Sequence, residues 1–238
     1  MTEKLEKLAA IIPCYNAGHR LGPVLEQALP LVRTVCVVDD GSTDGGIEAV
    51  RALPADFVTL PHNRGKGHAL LAGIGHVLDD PAIEAVCLLD ADGQHDPNEI
   101  PGLWRAFREA GADLAIGARQ FDGVAVPWRS RFGNTVTATV TARLLGTRLP
   151  DTQCGFRILG RRFARDVLET VRPGRYETEM EVVIKAVRQG YTVVSAPIAT
   201  RYEPGNPSSH FRQLSDSVRV YARLFHAARK WRNADTAS

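Results

Sequence analysis

Short β-rich runs alternate with amphipathic stretches from Leu8 to Arg119, and this alternation limits the fold more than any other feature of the 238-residue chain. LAAIIPC (8–14), TVCVVDD (34–40), FVTL (57–60), AVCLLD (85–90) and DLAIGAR (113–119) have the length and β-branched content of buried strands. Between them, RLGPVLEQALP, TDGGIEAVRAL, GKGHALLAGIGHVL and PNEIPGLWRAFREAG repeat apolar residues at spacings of three and four. Strands alternating with helices predict an α/β fold, a mostly parallel sheet flanked by helices. Ligands of such sheets bind at the carboxyl ends of the strands.

Beyond Arg119 the pattern loosens. It predicts a longer helix over about 128–145, a possible strand at CGFRILG (154–160), a helix around 177–189 and a strand in YTVVSAPIA (191–199). No linker, repeat or low-complexity tract divides the chain, so residues 1–238 are expected to form a single domain. Within 211–232, Phe211, Leu214, Val218, Tyr221, Phe225 and Ala228 line one face of an amphipathic helix. Residues 201–232 carry seven Arg or Lys against two acids, so this segment is either a packed helix with a solvated basic face or a contact for anionic lipid.

Charge and cysteine content remove some classes of function. A formal net charge of +2 argues against coating nucleic acid by bulk electrostatics. The four cysteines, Cys14, Cys36, Cys87 and Cys154, lack zinc spacing and read as small buried hydrophobes of a reducing compartment. MTEKLEKLAAIIPCYN does not have the form of a signal peptide, and no run reaches the ~18 apolar residues of a membrane span. The expectation is a cytoplasmic protein, with peripheral contact on the inner face of the cell membrane left open.

Polar residues cluster where strands end: Pro13 to Asn16, Asp39 to Asp44, and Asp90 to Asp96. In an extended strand, residues i and i+2 face the same side, so Asp90 and Asp92 can point their carboxylates at one place. At ~6.5 Å and an effective dielectric of ~20 their repulsion would be about 2.5 kcal/mol, which calls for a positive partner. Mg2+ or Mn2+ suits such a place, because these ions take one or two protein carboxylates and share their other positions with substrate phosphates. Asp96 has a simpler role as the N-cap before Pro97. Asp39 or Asp40 is suited to accept from a ribose hydroxyl or a base edge, while Ser42, Thr43 or Asp44 caps the next helix. Gly65 and Gly67 in HNRGKGHALLAG would admit a ligand close to the backbone, although neither a Walker loop nor a Rossmann fingerprint is present.

Together PCYNAG, VVDDGSTDGG, NRGKGHALLAG, LLDADGQHDP, GAR, RSRFGN and DTQCGFR resemble family 2 glycosyltransferases of the GT-A fold. The likeness spans about residues 8 to 160 and is closest to the polyprenyl (dolichyl) phosphate mannose and glucose synthases. It implies a nucleotide-sugar half over 8–120, an acceptor half over 121–210, a nucleoside diphosphate sugar donor, an Mg2+ or Mn2+ ion, and inversion at the anomeric carbon. Carried across, Pro13, Tyr15 and Asp40 would line the nucleotide pocket, with Asn16, Asp39 and Ala91 as further substrate-binding candidates. Asp90 would face the donor's sugar or ribose, and Asp92 with Gln94, beside Asp90, would hold the metal. Arg119 and Arg131 would meet phosphates, and Asp151 opens the acceptor-side turn. Ala17 stands where the family's PxYNE motif has Glu, and the membrane helices that often follow the catalytic domain are not expected here.

Negative charge that develops on the leaving oxygen would be stabilised by the metal, helped by Arg119, Arg131, Lys66, His210 and Arg212. His210 and Arg212 lie in a Gly/Pro/Ser-rich stretch of the kind that forms a movable lid. A polyprenyl phosphate acceptor is already an anion, whereas a hydroxyl acceptor needs a base, with Asp151 the first choice ahead of Glu177 and Glu179. A hydroxyl acceptor in polysaccharide or glycolipid assembly is the alternative, and a non-catalytic nucleotide-sugar-binding module a more distant one.

Overall fold

The computed structural model describes residues 4–119, 151–152, 154–175 and 177–199. The helix expected over 128–145, the C-terminal helix of 211–232, and the candidates Arg131, His210 and Arg212 lie outside these residues.

The described elements follow the alternation read from the sequence: β1 (Leu5–Cys14), α1 (Leu21–Ala28), β2 (Val32–Asp39), α2 (Gly46–Val50), β3 (Asp56–Thr59), α3 (Lys66–Val77), β4 (Ala85–Leu88), α4 (Ile100–Glu109), β5 (Leu114–Arg119), β6 (Arg157–Gly160), α5 (Arg161–Thr170), α6 (Glu177–Arg188) and β7 (Val193–Ile198). Seven strands form one sheet in the order β3-β2-β1-β4-β6-β5-β7. All run parallel except β6, which is antiparallel to both β4 and β5. The chain therefore enters β6 at the edge where β4 and β5 end, with Leu88 and Ile116 both paired to Arg157. The Asp151–Phe156 turn is delivered to the same edge as the other strand ends.

Two features were not visible in the sequence. A run as short as RILG carries no mark of its direction, and only its neighbours fix it as antiparallel. The α5 segment RRFARDVLET is strongly polar and buries only Phe163, Ala164 and Val167. Its apolar stripe was too thin to register beside the strand that precedes it.

Leu8 to Ile12 of β1, Val35 to Val38 of β2 and Ala85 to Leu88 of β4 are buried, as expected of strands covered on both faces. Helix α3 lies close on this centre because Gly73 has no side chain. A Cβ there would come within 2.5 Å of Ile11 Cγ2 and 2.9 Å of Val38 Cγ2. All four cysteines are buried thiols, and burial pushes those of Cys36 and Cys154 up to about 12.

Candidate active site

The loops that leave β1 and β2 are sewn together. Asn16, at a positive φ of 50°, donates its N–H to Ser42 Oγ at 3.1 Å and accepts from the Thr43 N–H at 2.8 Å. Asp44 accepts from Gly18 N–H at 2.7 Å and Gly46 N–H at 3.0 Å, so it bridges the loops rather than capping α2, whose N-cap is Gly45. Asp39 accepts from Ser42 N–H at 2.7 Å. Asp40 accepts from the N–H groups of Arg64 and Gly65 at 2.7 and 2.8 Å, which shapes the loop before α3. Pro13 is half-buried, and Tyr15 is 38% exposed.

Gly65 and Gly67 make room for the protein's own chain. A Cβ on Gly67 would collide with Thr178 Oγ1 and reach Gly174 O at 2.6 Å, while one on Gly65 would reach Arg175 Cγ at 2.9 Å. The Gly67 N–H, where the sequence suggested that a ligand could approach the backbone, donates to Gly174 O at 3.0 Å. Close packing of the α3 start against the segment before α6 accounts for both glycines.

Strand β4 hands its acids to a turn. Leu89 N–H still donates to Ile11 O at 3.0 Å; Asp90 follows, with Oδ1 2.6 Å from Lys66 Nζ. The same ammonium lies 3.1 Å from Glu179 Oε1. The positive charge that the sequence demanded beside Asp90 is thus, at least in part, a lysine. Burial opposes ionisation of Asp90, but Lys66 and the neighbouring basic groups outweigh it and lower its pKa. Asp92 closes an Asx turn, accepting from Gln94 N–H at 3.0 Å around Gly93 at φ 77°. Its carboxyl is pushed up to about 6, first by burial and then by the charge of Asp90. Ala91 between them is buried. Asp96 caps the turn before α4 as expected, accepting from Asn98 N–H at 3.0 Å ahead of Pro97.

Among the described residues no three His, Cys, Asp or Glu side chains converge as a metal cage. Asp92 and Gln94 nevertheless fit a hard cation. One carboxylate raised by burial and by a like charge gains from such an ion, and a set this small suits Mg2+ or Mn2+ shared with a diphosphate.

At the end of β5, Arg119 holds Asp151 in a two-pronged ion pair, Nε to Oδ2 at 2.5 Å and Nη2 to Oδ1 at 3.1 Å. Asp151 is only 1% exposed. One guanidinium thus engages both of its carboxylate oxygens. His95 lies beneath, its Nε2 3.5 Å from Cys154 Sγ and its ring tilted over Phe156. Burial lowers its pKa to about 4, so it is neutral.

Sequence reasoning brought Asp90, Asp92, Lys66, Arg119 and Asp151 to one edge and missed what surrounds them. Glu179 was weighed only as a base, and Arg157 and Gly155 drew no notice. A single arginine inside the apolar run CGFRILG was the available signal.

The mostly parallel seven-stranded sheet with flanking helices is that of the GT-A glycosyltransferases. The sequence profile described as Glycosyl transferase family 2 matches residues 9–168, and the chain belongs to that family of glycosyltransferases. A polyprenol monophosphomannose synthase of Mycolicibacterium smegmatis is 32% identical over 206 residues, 81% of this chain and 77% of that one. A dolichyl-phosphate beta-glucosyltransferase of Trichomonas vaginalis, ALG5A, is 26% identical over 257 residues, 96% of this chain and 76% of that one. The structure of glucosyl-3-phosphoglycerate synthase from Mycobacterium tuberculosis, in complex with Mn2+, uridine diphosphate and glucosyl-3-phosphoglycerate, matches with a TM-score of 0.72 at 20% identity over 93% of this chain and 80% of that one. At that identity the likeness is one of fold. No helix among the described residues is long and apolar enough to cross a membrane.

Proposed function

We propose that the protein moves a hexose from a nucleoside diphosphate sugar to a polyprenyl phosphate, with inversion at the anomeric carbon. The observation that carries this reading is the Asp90–Asp92 turn at the carboxyl end of β4, with Lys66 bonded to Asp90 and Arg119 at the end of β5 on the same edge. The names of the two relatives support the acceptor class, since they pair a polyprenol or dolichyl phosphate product or substrate with a mannosyl or glucosyl group.

In this reading the sewn loops after β1 and β2 seat the nucleotide, with Tyr15 against the base and Asp39 and Asp40 near the base or ribose. Asp92, with Gln94, would hold Mg2+ or Mn2+ against the diphosphate. When bound, that ion supplies Lewis-acid stabilisation of the leaving group. Lys66 adds a fixed positive charge, which costs no reorganisation as the bond to the diphosphate breaks. A phosphate oxygen of the acceptor attacks the anomeric carbon from the opposite face, and Arg119 and Arg131 orient that anion and offset its repulsion from the donor.

The engagement of Asp151 by Arg119 favours a phosphate over a hydroxyl acceptor. An ionised oxygen needs no base, and the first candidate base already has both its oxygens on a guanidinium. The net charge of +5 over 201–232 suits a surface of anionic lipid, from which such an acceptor would be reached. Incubation of UDP-glucose and GDP-mannose with polyprenyl phosphate or polyprenol, with and without Mn2+, tests the reading. Transfer to the phosphate alone is expected, stopped by chelation and reduced at least ~100-fold in Asp92→Ala. Transfer only to polyprenol would sink the acceptor assignment.

A further inference from the structure

A buried arginine on β6 holds the far end of the Lys66 ion pair. Arg157 has no exposed surface, and its guanidinium donates to three backbone carbonyls: Nε to Cys154 at 2.7 Å, Nη2 to Thr152 at 2.9 Å and Nη1 to Glu179 at 2.6 Å. A cation set on neutral carbonyls gives up its hydration, while an apolar side chain of similar volume would fill the same space without that cost. The fork is better explained by what it holds. One arm reaches the first turn of α6, the other two the turn that presents Asp151 to Arg119. From Glu179 the connection continues through its side chain: Oε1 lies 3.1 Å from Lys66 Nζ, which lies 2.6 Å from Asp90 Oδ1. Lys66 and Glu179 are 15% and 9% exposed, so water competes little for them.

We propose that Arg157 and Glu179 are positioning residues that hold Lys66 against Asp90, ready for the donor's diphosphate before it arrives. This rests on the transferase reading and adds two residues to it. A lysine side chain has four rotatable bonds, and two flanking carboxylates remove most of that freedom in advance. Arg157 fixes the backbone from which one of those carboxylates projects. Neither residue has to touch substrate, so both act through Lys66.

Glu179→Gln keeps the shape and removes the charge. In initial-rate assays of transfer from UDP-glucose and GDP-mannose to polyprenyl phosphate, kcat falls about 10- to 100-fold while donor KM moves less than about threefold. Arg157→Lys, which keeps a charge but cannot span three carbonyls, shifts kcat in the same direction. In a Lys66→Met background Glu179→Gln costs less than about twofold more, because its effect passes through Lys66. A full Glu179→Gln loss in that background would make Glu179 a general base and overturn the proposal, as would unchanged kcat in the single variant. Acylation of Lys66 by an amine-reactive reagent, read by peptide mass spectrometry against Lys185, gives a measure independent of activity. Lys66 labels severalfold faster in Glu179→Gln than in the wild type. Unchanged labelling refutes the relay even where the wild-type protein turns over neither donor, a result that would instead count against the transferase reading. If Arg157→Lys does not fold, Glu179→Gln decides alone.

Discussion

A Cβ built on Gly155 would stand 2.6 Å from Asp90 Oδ2 and 3.0 Å from Lys66 Nζ. No rotamer of a larger residue avoids this, because the Cβ direction is set by the backbone. Gly155→Ala must therefore push the ammonium and the carboxylate apart or displace the turn that carries Asp151. The expected result is a kcat loss of roughly 10- to 100-fold with a stability loss smaller than that of a clash against backbone, because the atoms met belong to side chains; transfer kinetics and thermal denaturation of the same sample read both. Wild-type kcat in Gly155→Ala would show that the pair tolerates displacement. At this scale the sequence was informative only where a residue conflicts with its local pattern. Asp90 and Asp92 stand out because carboxylates follow an apolar strand, and Lys66 because it opens a helix between glycines. Gly155 and Glu179 look ordinary locally; their meaning lies in contacts with Asp90 and Lys66, residues distant in the chain. Asp40 shows the converse: its place after a strand suggested a ligand, and the structure also gives it the N–H groups of Arg64 and Gly65.

Helix α3 is packed closely at its start and at its middle by missing side chains, and its glycines differ in what they face. A Cβ on Gly67 meets the Gly174 backbone, O at 2.6 Å and N at 2.8 Å, which cannot move aside as a flexible side chain can. On Gly75, in the same helix, it meets nothing within 4 Å. Gly67→Ala is expected to destabilise by about 1–3 kcal/mol, and to loosen the approach of α3 to α6 on which the Lys66–Glu179 pair depends. Gly75→Ala is expected to stabilise by up to ~1 kcal/mol through helix propensity. Chemical denaturation of the two variants checks the pair, and equal effects would mean that the α3–α6 contact does not constrain the helix. Strand and helix periodicity made most of these elements legible, with boundaries shifted by up to three residues. The direction of β6 and the existence of α5 were hidden, the first because pairing is a property of neighbours and the second because its buried stripe is only three residues wide.

The candidate residues stand at the ends of β1, β2, β4 and β5 and at the start of β6, five of the seven strands, so under the proposed function most of the sheet meets the ligand. A ligand on this edge is held by strands from both halves of the order, so binding should stabilise the protein as a unit. At about 100 times its Kd a ligand contributes about 2.7 kcal/mol by mass action. For a chain of this size each kcal/mol raises Tm by roughly 2–4 °C, which makes a shift of about 5–10 °C. The two acids of the β4 turn determine how that shift is divided. Asp92 alone offers a cation too few ligands, and a diphosphate alone adds negative charge beside Asp90 and Asp92. Each partner supplies what the other lacks, so their coupling is reciprocal. UDP or GDP without metal, and Mn2+ without nucleotide, should each move Tm by much less than the two together. Asp92→Ala should erase the excess while leaving the Tm of the unliganded protein unchanged or higher, because a carboxylate raised by burial and by a like charge costs stability to keep ionised. A wild-type shift of the same size with and without Mn2+ would show that the nucleotide binds without a shared ion, and the cation site at Asp92 would then be wrong.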